Sequence, residues 1–427
     1  MNPIESYFAA LAEIRATGGG VKETSGYPAL INLLNAVGEG LKPRVLAVSQ
    51  LRNSGAGSPD AGLFAASQFA KGAGEPLPGQ LPERGVVEIK GVAEDSWLTA
   101  GGEQVSKYWR QYRRVLVTNY RDFLLVGEDR AGQPVVLETL RLAASAEEFW
   151  ARLTQPRAFA QASVERLLEY LQRVLLHAAA LNNPRDVAWF LASYARDARS
   201  RLAEKPDLPA LATLRAALEN ALGLHFEAED GEHFFRSTLI QTLFYGVFSA
   251  WVLWREENPA RQDRFDWRLA SWNLRAPMIR ALFEQLSQPS KLLPLGLTEV
   301  LDWVNGVLNR VDRAAFFSQF AATNAVQYFY EPFLQAFDPE LRKQLGVWYT
   351  PLEIVRYMVA RVDTVLREEL GIADGLADPQ VFILDPCCGT GAYLTEVLRQ
   401  IKARLDEQGL GGLAGAKLKE AALERVF

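Results

Sequence analysis

Apolar residues recur at intervals of three and four through positions 3–14 and again through YPALINLLNA (27–36), which predicts two short amphipathic helices. The runs RVLAVS (44–49), GVVEIKG (85–91) and RVLVTNYRDFLLVG (114–127) are β-rich, and the last predicts a hairpin turning at Asn119-Tyr120-Arg121-Asp122. Between the first two runs, residues 53–84 are rich in Gly and Pro and are expected to be mostly loop. From about Ser145 to Ala336 the helical spacing returns, in segments such as SVERLLEYLQRVLLHAAAL and FRSTLIQTLFYGVFSAWVLW, without a fixed internal period. Beyond Asp338 the pattern predicts a helix (PLEIVRYMVARVDTVLREEL), a buried strand VFILD (381–385) and a second helix (AYLTEVLRQIKARL). Strand, glycine turn and helix open a doubly wound α/β domain. Val426 and Phe427 could begin its second strand, and the expectation is a domain truncated here or completed by something outside the chain.

Composition narrows the class. Lys and Arg number 46 against 51 Asp and Glu, a net charge of −5, which excludes a histone-like basic protein but allows a local basic patch. Hydrophobic residues at 49% exclude disorder as the main state. Two adjacent cysteines, Cys387 and Cys388, exclude a disulfide scaffold and suit a reducing, cytoplasmic setting. They are expected to be small buried packing residues rather than metal ligands. With three histidines a His-rich zinc site is not expected, and no membrane partner is.

The segment VFILDPCCGTGAYL sets Asp385 at a strand end and Gly389 and Gly391 before a helix. Glycines let the backbone turn tightly against a ligand, and the free N–H groups of a helix start attract an anion. Upstream, GVWYTPLEIVRYMV leads through Tyr349, Thr350 and Pro351 into the preceding helix. Together these two segments, in this order and spacing, resemble the start of an N6-adenine DNA methyltransferase domain over residues 338–427. The resemblance implies an S-adenosylmethionine pocket: Asp385, Pro386, Cys387, Gly389 and Gly391 around the methionine part, with Thr350 and Pro351 on its carboxylate side. Such enzymes also carry a Pro-Pro-aromatic loop for the flipped adenine, and no Pro-Pro dipeptide occurs in these residues. Methyl transfer by this chain alone is therefore not expected.

In GVVEIKG, period two puts Glu88 and Lys90 on one face of a strand and turns Ile89 to the other. Asp60 follows Pro59 at the mouth of another extended segment. In this order Asp60, Glu88 and Lys90 resemble the PD-(D/E)XK signature of restriction-type nucleases. Paired carboxylates suit a hard divalent ion, and a lysine beside them suits a developing charge at phosphorus. The resemblance implies Mg²⁺ bound by Asp60 and Glu88 with Glu23 as an extra acid, and it extends to Gln104 and Tyr108, a Q-x-x-x-Y pair like that of type I and fused restriction enzymes. The same helix is basic and aromatic through Lys107, Trp109, Arg110 and Tyr112, which reads equally as a solvated face or as a surface tracking phosphates.

The reading is α/β plus all-α: a restriction-nuclease-like α/β domain (1–145), a helical connector (146–337) and an incomplete Rossmann-like methyltransferase domain (338–427). That order resembles single-chain restriction–modification enzymes of the type IIG/IIL or type ISP kind. It implies double-stranded DNA as partner, together with the missing methyltransferase and target-recognition part or a second chain. The alternatives are a modification-only methyltransferase whose N-terminal domain binds DNA without cutting, and a non-catalytic DNA-binding or scaffold fragment.

Overall fold

A computed structural model describes residues 2–17, 24–51, 55–70, 75–129, 131–223, 225–226, 231–257, 263–320, 329–344, 350–388 and 391–427. The chain divides into two compact units, Met1–Gln319 and Phe320–Phe427.

The first unit opens with helices α1 (Pro3–Ala16) and α2 (Tyr27–Glu39). A proline sits in the first turn of each, where a missing N–H costs nothing, and the Asn2 side chain caps the Ile4 amide of α1. Six strands follow: β1 (Val45–Ser49), β2 (Ala61–Ala65), β3 (Gly85–Ile89), β4 (Val115–Thr118), β5 (Asp122–Glu128) and β6 (Pro134–Arg141). They form one sheet in chain order, antiparallel throughout except for β3 beside β4. Parallel neighbours need a crossover, and α3 (Ser96–Ala100) and α4 (Glu103–Tyr112) supply it. Gly85 sits at φ 107°, and a Cβ there would lie 2.6 Å from the Arg114 carbonyl oxygen, so only glycine lets β3 start this close to β4.

Within the mostly loop stretch 53–84 lies a strand that the sequence pattern did not show, β2. AGLFA has neither the β-branched content nor the alternation of an ordinary strand, yet all five residues are buried between β1 and β3. Its identity comes from being covered on both faces, a tertiary fact. The hairpin at 119–122 forms as expected: Asn119 Oδ1 accepts from the Asp122 amide at 2.7 Å, and Tyr120 takes the left-handed conformation at φ 70°. On one face of the sheet Val86, Val115, Val117, Leu124 and Val126 pack against Val105, Tyr108, Trp109 and Tyr112 of α4. Phe123 meets Tyr170 on the other.

The helical part of this unit comprises α5 (Ala146–Arg152), α6 (Pro156–Leu176), α7 (Pro184–Ala203), α8 (Pro209–Leu222), α9 (Gly231–Glu257) and α10 (Ala270–Asn273). It continues through α11 (Pro277–Leu286), α12 (Pro289–Leu295), α13 (Leu297–Arg310) and α14 (Arg313–Gln319). α9 is long and apolar enough to cross a membrane, and 61% of its most apolar stretch is buried, with α7, α10 and α11 packed against it. Sheet and helices share a buried ionic knot. Glu138 of β6 pairs with Arg173 of α6 at 3.0 Å and accepts a hydrogen bond from the Tyr194 hydroxyl of α7, while Arg173 reaches Ser193 Oγ at 2.9 Å. Burial opposes the charge on Arg173, but Glu138, Tyr194 and Asp197 together outweigh it and raise the guanidinium above its ordinary value. Removing one partner of such a buried pair costs about 3–5 kcal/mol, because the other charge is left uncompensated.

The second unit holds α15 (Glu331–Phe337), α16 (Pro339–Gln344), α17 (Leu352–Thr364), α18 (Ala392–Glu407) and α19 (Ala414–Glu424). Val355 and Val359 of α17, Val397, Ile401 and Leu405 of α18, and Val426 share one core. Val426 and Phe427 do run beside the 381–385 segment: Ile383 and Val426 form a parallel bridge, and the Asp385 amide donates to the Phe427 carbonyl at 2.8 Å. The expectation of a buried strand is corrected, since Phe382 and Leu384 are 71% and 73% exposed and only Ile383 turns toward the helices. The helices cover one face of the alternation, and the other face stands in water.

Candidate functional site

The antiparallel register pairs Ala61 with Val87, so Asp60, one residue outside β2, comes level with Glu88 of β3. Glu88 is 2% exposed and its Oε1 lies 2.8 Å from Lys90 Nζ. Asp60 is held at both oxygens: the Tyr27 hydroxyl donates to Oδ1 at 2.7 Å and the Ile89 amide to Oδ2 at 2.7 Å. Ile89 is fully buried on the opposite face, which fixes the strand so that Glu88 and Lys90 both look toward α4. Tyr27 was not legible as part of this cluster. It stands 33 residues from Asp60, and only the packing of α2 brings it there.

α4 completes the cluster. Gln104 Nε2 donates to the Tyr108 hydroxyl at 2.9 Å, one helical turn apart. Burial raises the Tyr108 hydroxyl above its ordinary value; the Gln104 hydrogen bond opposes this, and the Glu88 and Asp60 carboxylates add to it. Tyr108 is therefore a neutral hydrogen-bond donor at physiological pH, within the field of both acids. On this helix the rings of Tyr108, Trp109 and Tyr112 pack into the core, and exposed Lys107 pairs with Glu103 at 2.9 Å. The two side-by-side carboxylates suit a hard cation such as Mg²⁺. No group of three metal-binding side chains gathers among the described residues, and Glu23, the expected third acid, lies outside them.

In the second unit Thr350 and Pro351 are exposed at the start of α17, with Pro351 as its N-terminal cap residue. Asp385 Oδ1 accepts from the Cys387 amide at 3.1 Å across Pro386, while Asp385 Oδ2 is buried without a partner. An orphaned carboxylate oxygen beside a helix start fits a polar ligand group there. Gly391 caps α18 at φ 75°, a conformation that a side chain would strain. Cys387 and Cys388 are free and exposed, which corrects the expectation of buried packing residues: the turn that carries them has no layer over it. Gly389 lies outside the described residues.

Residues 322–424 match the family model described as N-6 DNA Methylase, a match that falls within the second unit. This supports an adenine-N6 DNA methyltransferase region, a kind that uses S-adenosylmethionine. No curated protein matches the chain. A solved structure described as the cryoEM structure of a DrdV–DNA complex is similar at 20% identity and a TM-score of 0.33, covering 99% of this chain and 39% of that one. The present chain thus spans well under half of the length of that protein.

Proposed function

We propose that the chain is the nuclease and cofactor-side methyltransferase portion of a single-chain, cytoplasmic DNA restriction–modification enzyme, with a nuclease domain over 1–145 and a helical connector over 146–337. The observation that carries this reading is the convergence of Asp60, Glu88, Lys90 and Tyr108, drawn from β2, β3 and α4, on one end of the sheet. The family match of the second unit supports DNA as the shared substrate.

A divalent ion held by Asp60 and Glu88 would polarise the scissile phosphate and acidify a water molecule. Asp60 is kept in place by Tyr27 and the Ile89 amide, so its carboxylate does not have to be ordered on binding. Lys90, ion-paired with Glu88 in the resting chain, supplies positive charge where the pentavalent phosphate gathers negative charge. Tyr108, neutral and oriented by Gln104, donates a hydrogen bond to a non-bridging oxygen. In the second unit the unpaired Asp385 oxygen and the turn at Gly391 would hold S-adenosylmethionine, which supplies the methyl group for adenine N6.

The test is Mg²⁺-dependent nicking of supercoiled plasmid by the purified chain. Asp60→Asn and Glu88→Gln each remove the activity while circular dichroism stays unchanged. Cutting that persists in both variants would discard the nuclease.

A further inference from the structure

A cleft of about 760 Å³ opens in the first unit between the β5–β6 hairpin and α13, where Arg114 precedes β4. Glu88 and Lys90 belong to the C-terminal end of β3, whereas Arg114 is level with its N-terminal end, so the two places are separated by the length of the strand. Three acids lining this cleft, buried Glu138 and half-exposed Glu299 and Asp302, are each paired with an arginine. Glu138 is bound by Arg173, Glu299 pairs with Arg201 at 2.6 Å, and Asp302 pairs with Arg268 at 2.7 Å. Arg113, Arg114, Arg264 and Arg310 also line it, against Glu128 and Asp129 in the β5–β6 turn.

The arginines are short of partners. Arg310 donates one hydrogen bond to the His177 carbonyl, and its Nε and Nη2 are shut off from solvent with none. Arg114 Nε donates to His177 Nδ1 at 3.3 Å, which makes that imidazole a neutral acceptor between two cations and leaves it unable to compensate them. Beside Arg114, Arg84 is 5% exposed, and its Nε and Nη1 have no partner. It pairs with Glu83 at 3.5 Å. Burial lowers Arg114 and Arg310 from the ordinary guanidinium value; Arg84 adds to this at Arg114 against Glu128 and Glu83, and at Arg310 Tyr194 and Glu138 oppose the lowering while Arg114 adds to it. Guanidinium groups gathered along one cleft repel one another, and an oxyanion set between them relieves that repulsion.

We infer that the cleft between the β5–β6 hairpin and α13 binds a small phosphate-bearing anion of nucleotide size through Arg310, Arg114 and Arg264. Planar guanidinium forks match the spacing of phosphate oxygens, and the volume is that of a small-ligand site rather than of a duplex. Such a ligand would clip β6 to α13, and so couple the sheet that carries Asp60 and Glu88 to the helices.

The experiment is calorimetric and thermal-shift titration of the full chain with inorganic pyrophosphate and with ATP, at chloride-matched ionic strength. Pyrophosphate binds one to one and raises Tm; ATP binds at least as tightly. Arg310→Met weakens both by about tenfold or more, the worth of one charge-assisted hydrogen bond. Arg264→Ser, at an exposed position that leaves the core intact, weakens them severalfold even if the first variant misfolds. Absence of binding in the wild-type chain, or equal affinity in wild type and both variants, overturns the site. A short DNA duplex that displaces pyrophosphate and binds more tightly than ATP overturns the assignment to a small ligand.

Discussion

Asp60 and Asp385 each stand at the end of an extended segment, and their surroundings are opposite. Asp60 borders a six-stranded sheet whose inner strands are covered on both faces, and a tyrosine hydroxyl and a backbone amide each hold one of its oxygens. Asp385 borders a single parallel bridge with Phe382 and Leu384 in solvent, and one of its oxygens is buried with nothing bound to it. A sheet covered on both faces positions an acid before any ligand arrives, whereas a single bridge fixes only the backbone beside Asp385.

The contrast predicts where substitutions hurt most. Arg173→Met removes the cation that neutralises Glu138 between the sheet and α6, and should cost about 3–5 kcal/mol in urea unfolding followed by tryptophan fluorescence. A loss below 1 kcal/mol would mean that the sheet is not held by this knot. Lys90→Met should slow metal-dependent cleavage by about 10²–10³-fold in the folded variant, with DNA affinity nearly unchanged. Weak binding with normal cutting would make Lys90 a phosphate contact only.

Gly391→Val puts a side chain at φ 75° and should cost about 1–2 kcal/mol locally, read as faster hydrogen exchange in the first turn of α18. Unchanged exchange would show the turn to be adaptable rather than set. The smallest effect concerns His177. Burial first, then Arg310 and Arg114, hold it well below its ordinary pKa, so the unfolded chain binds the proton that the folded chain refuses. Stability is level above about pH 6.5 and falls on acidification below it, by up to about 1.4 kcal/mol per pH unit. His177→Asn should flatten that slope; an unaltered slope would place the titration elsewhere.

Much of the first cluster was legible before the fold was known. The alternation in GVVEIKG already put Glu88 and Lys90 on one face, and the four-residue spacing of Gln104 and Tyr108 already made them helical neighbours. Tyr27 was not legible, because its partner is on another strand and only the packing of α2 brings them together. The basic, aromatic pattern of α4 was split by the fold, because composition cannot tell which side of a helix is covered: the rings went inside, and Lys107 and Arg110 stayed on the solvated face.

Local spacing therefore determined the element types, the acid–lysine pair and the glycine at the start of α18, since each depends on residues a few positions apart. Tertiary structure decided the rest. It made a strand of AGLFA by covering both faces, brought Asp60 level with Glu88 through antiparallel register, and left Cys387 and Cys388 in solvent. It also gathered Arg114 and Arg310 from distant segments around one histidine, with Arg84 beside Arg114. Burial and pairing between remote segments belong to the whole fold, because the energy of a buried charge is set by everything packed around it and not by its neighbours in the chain.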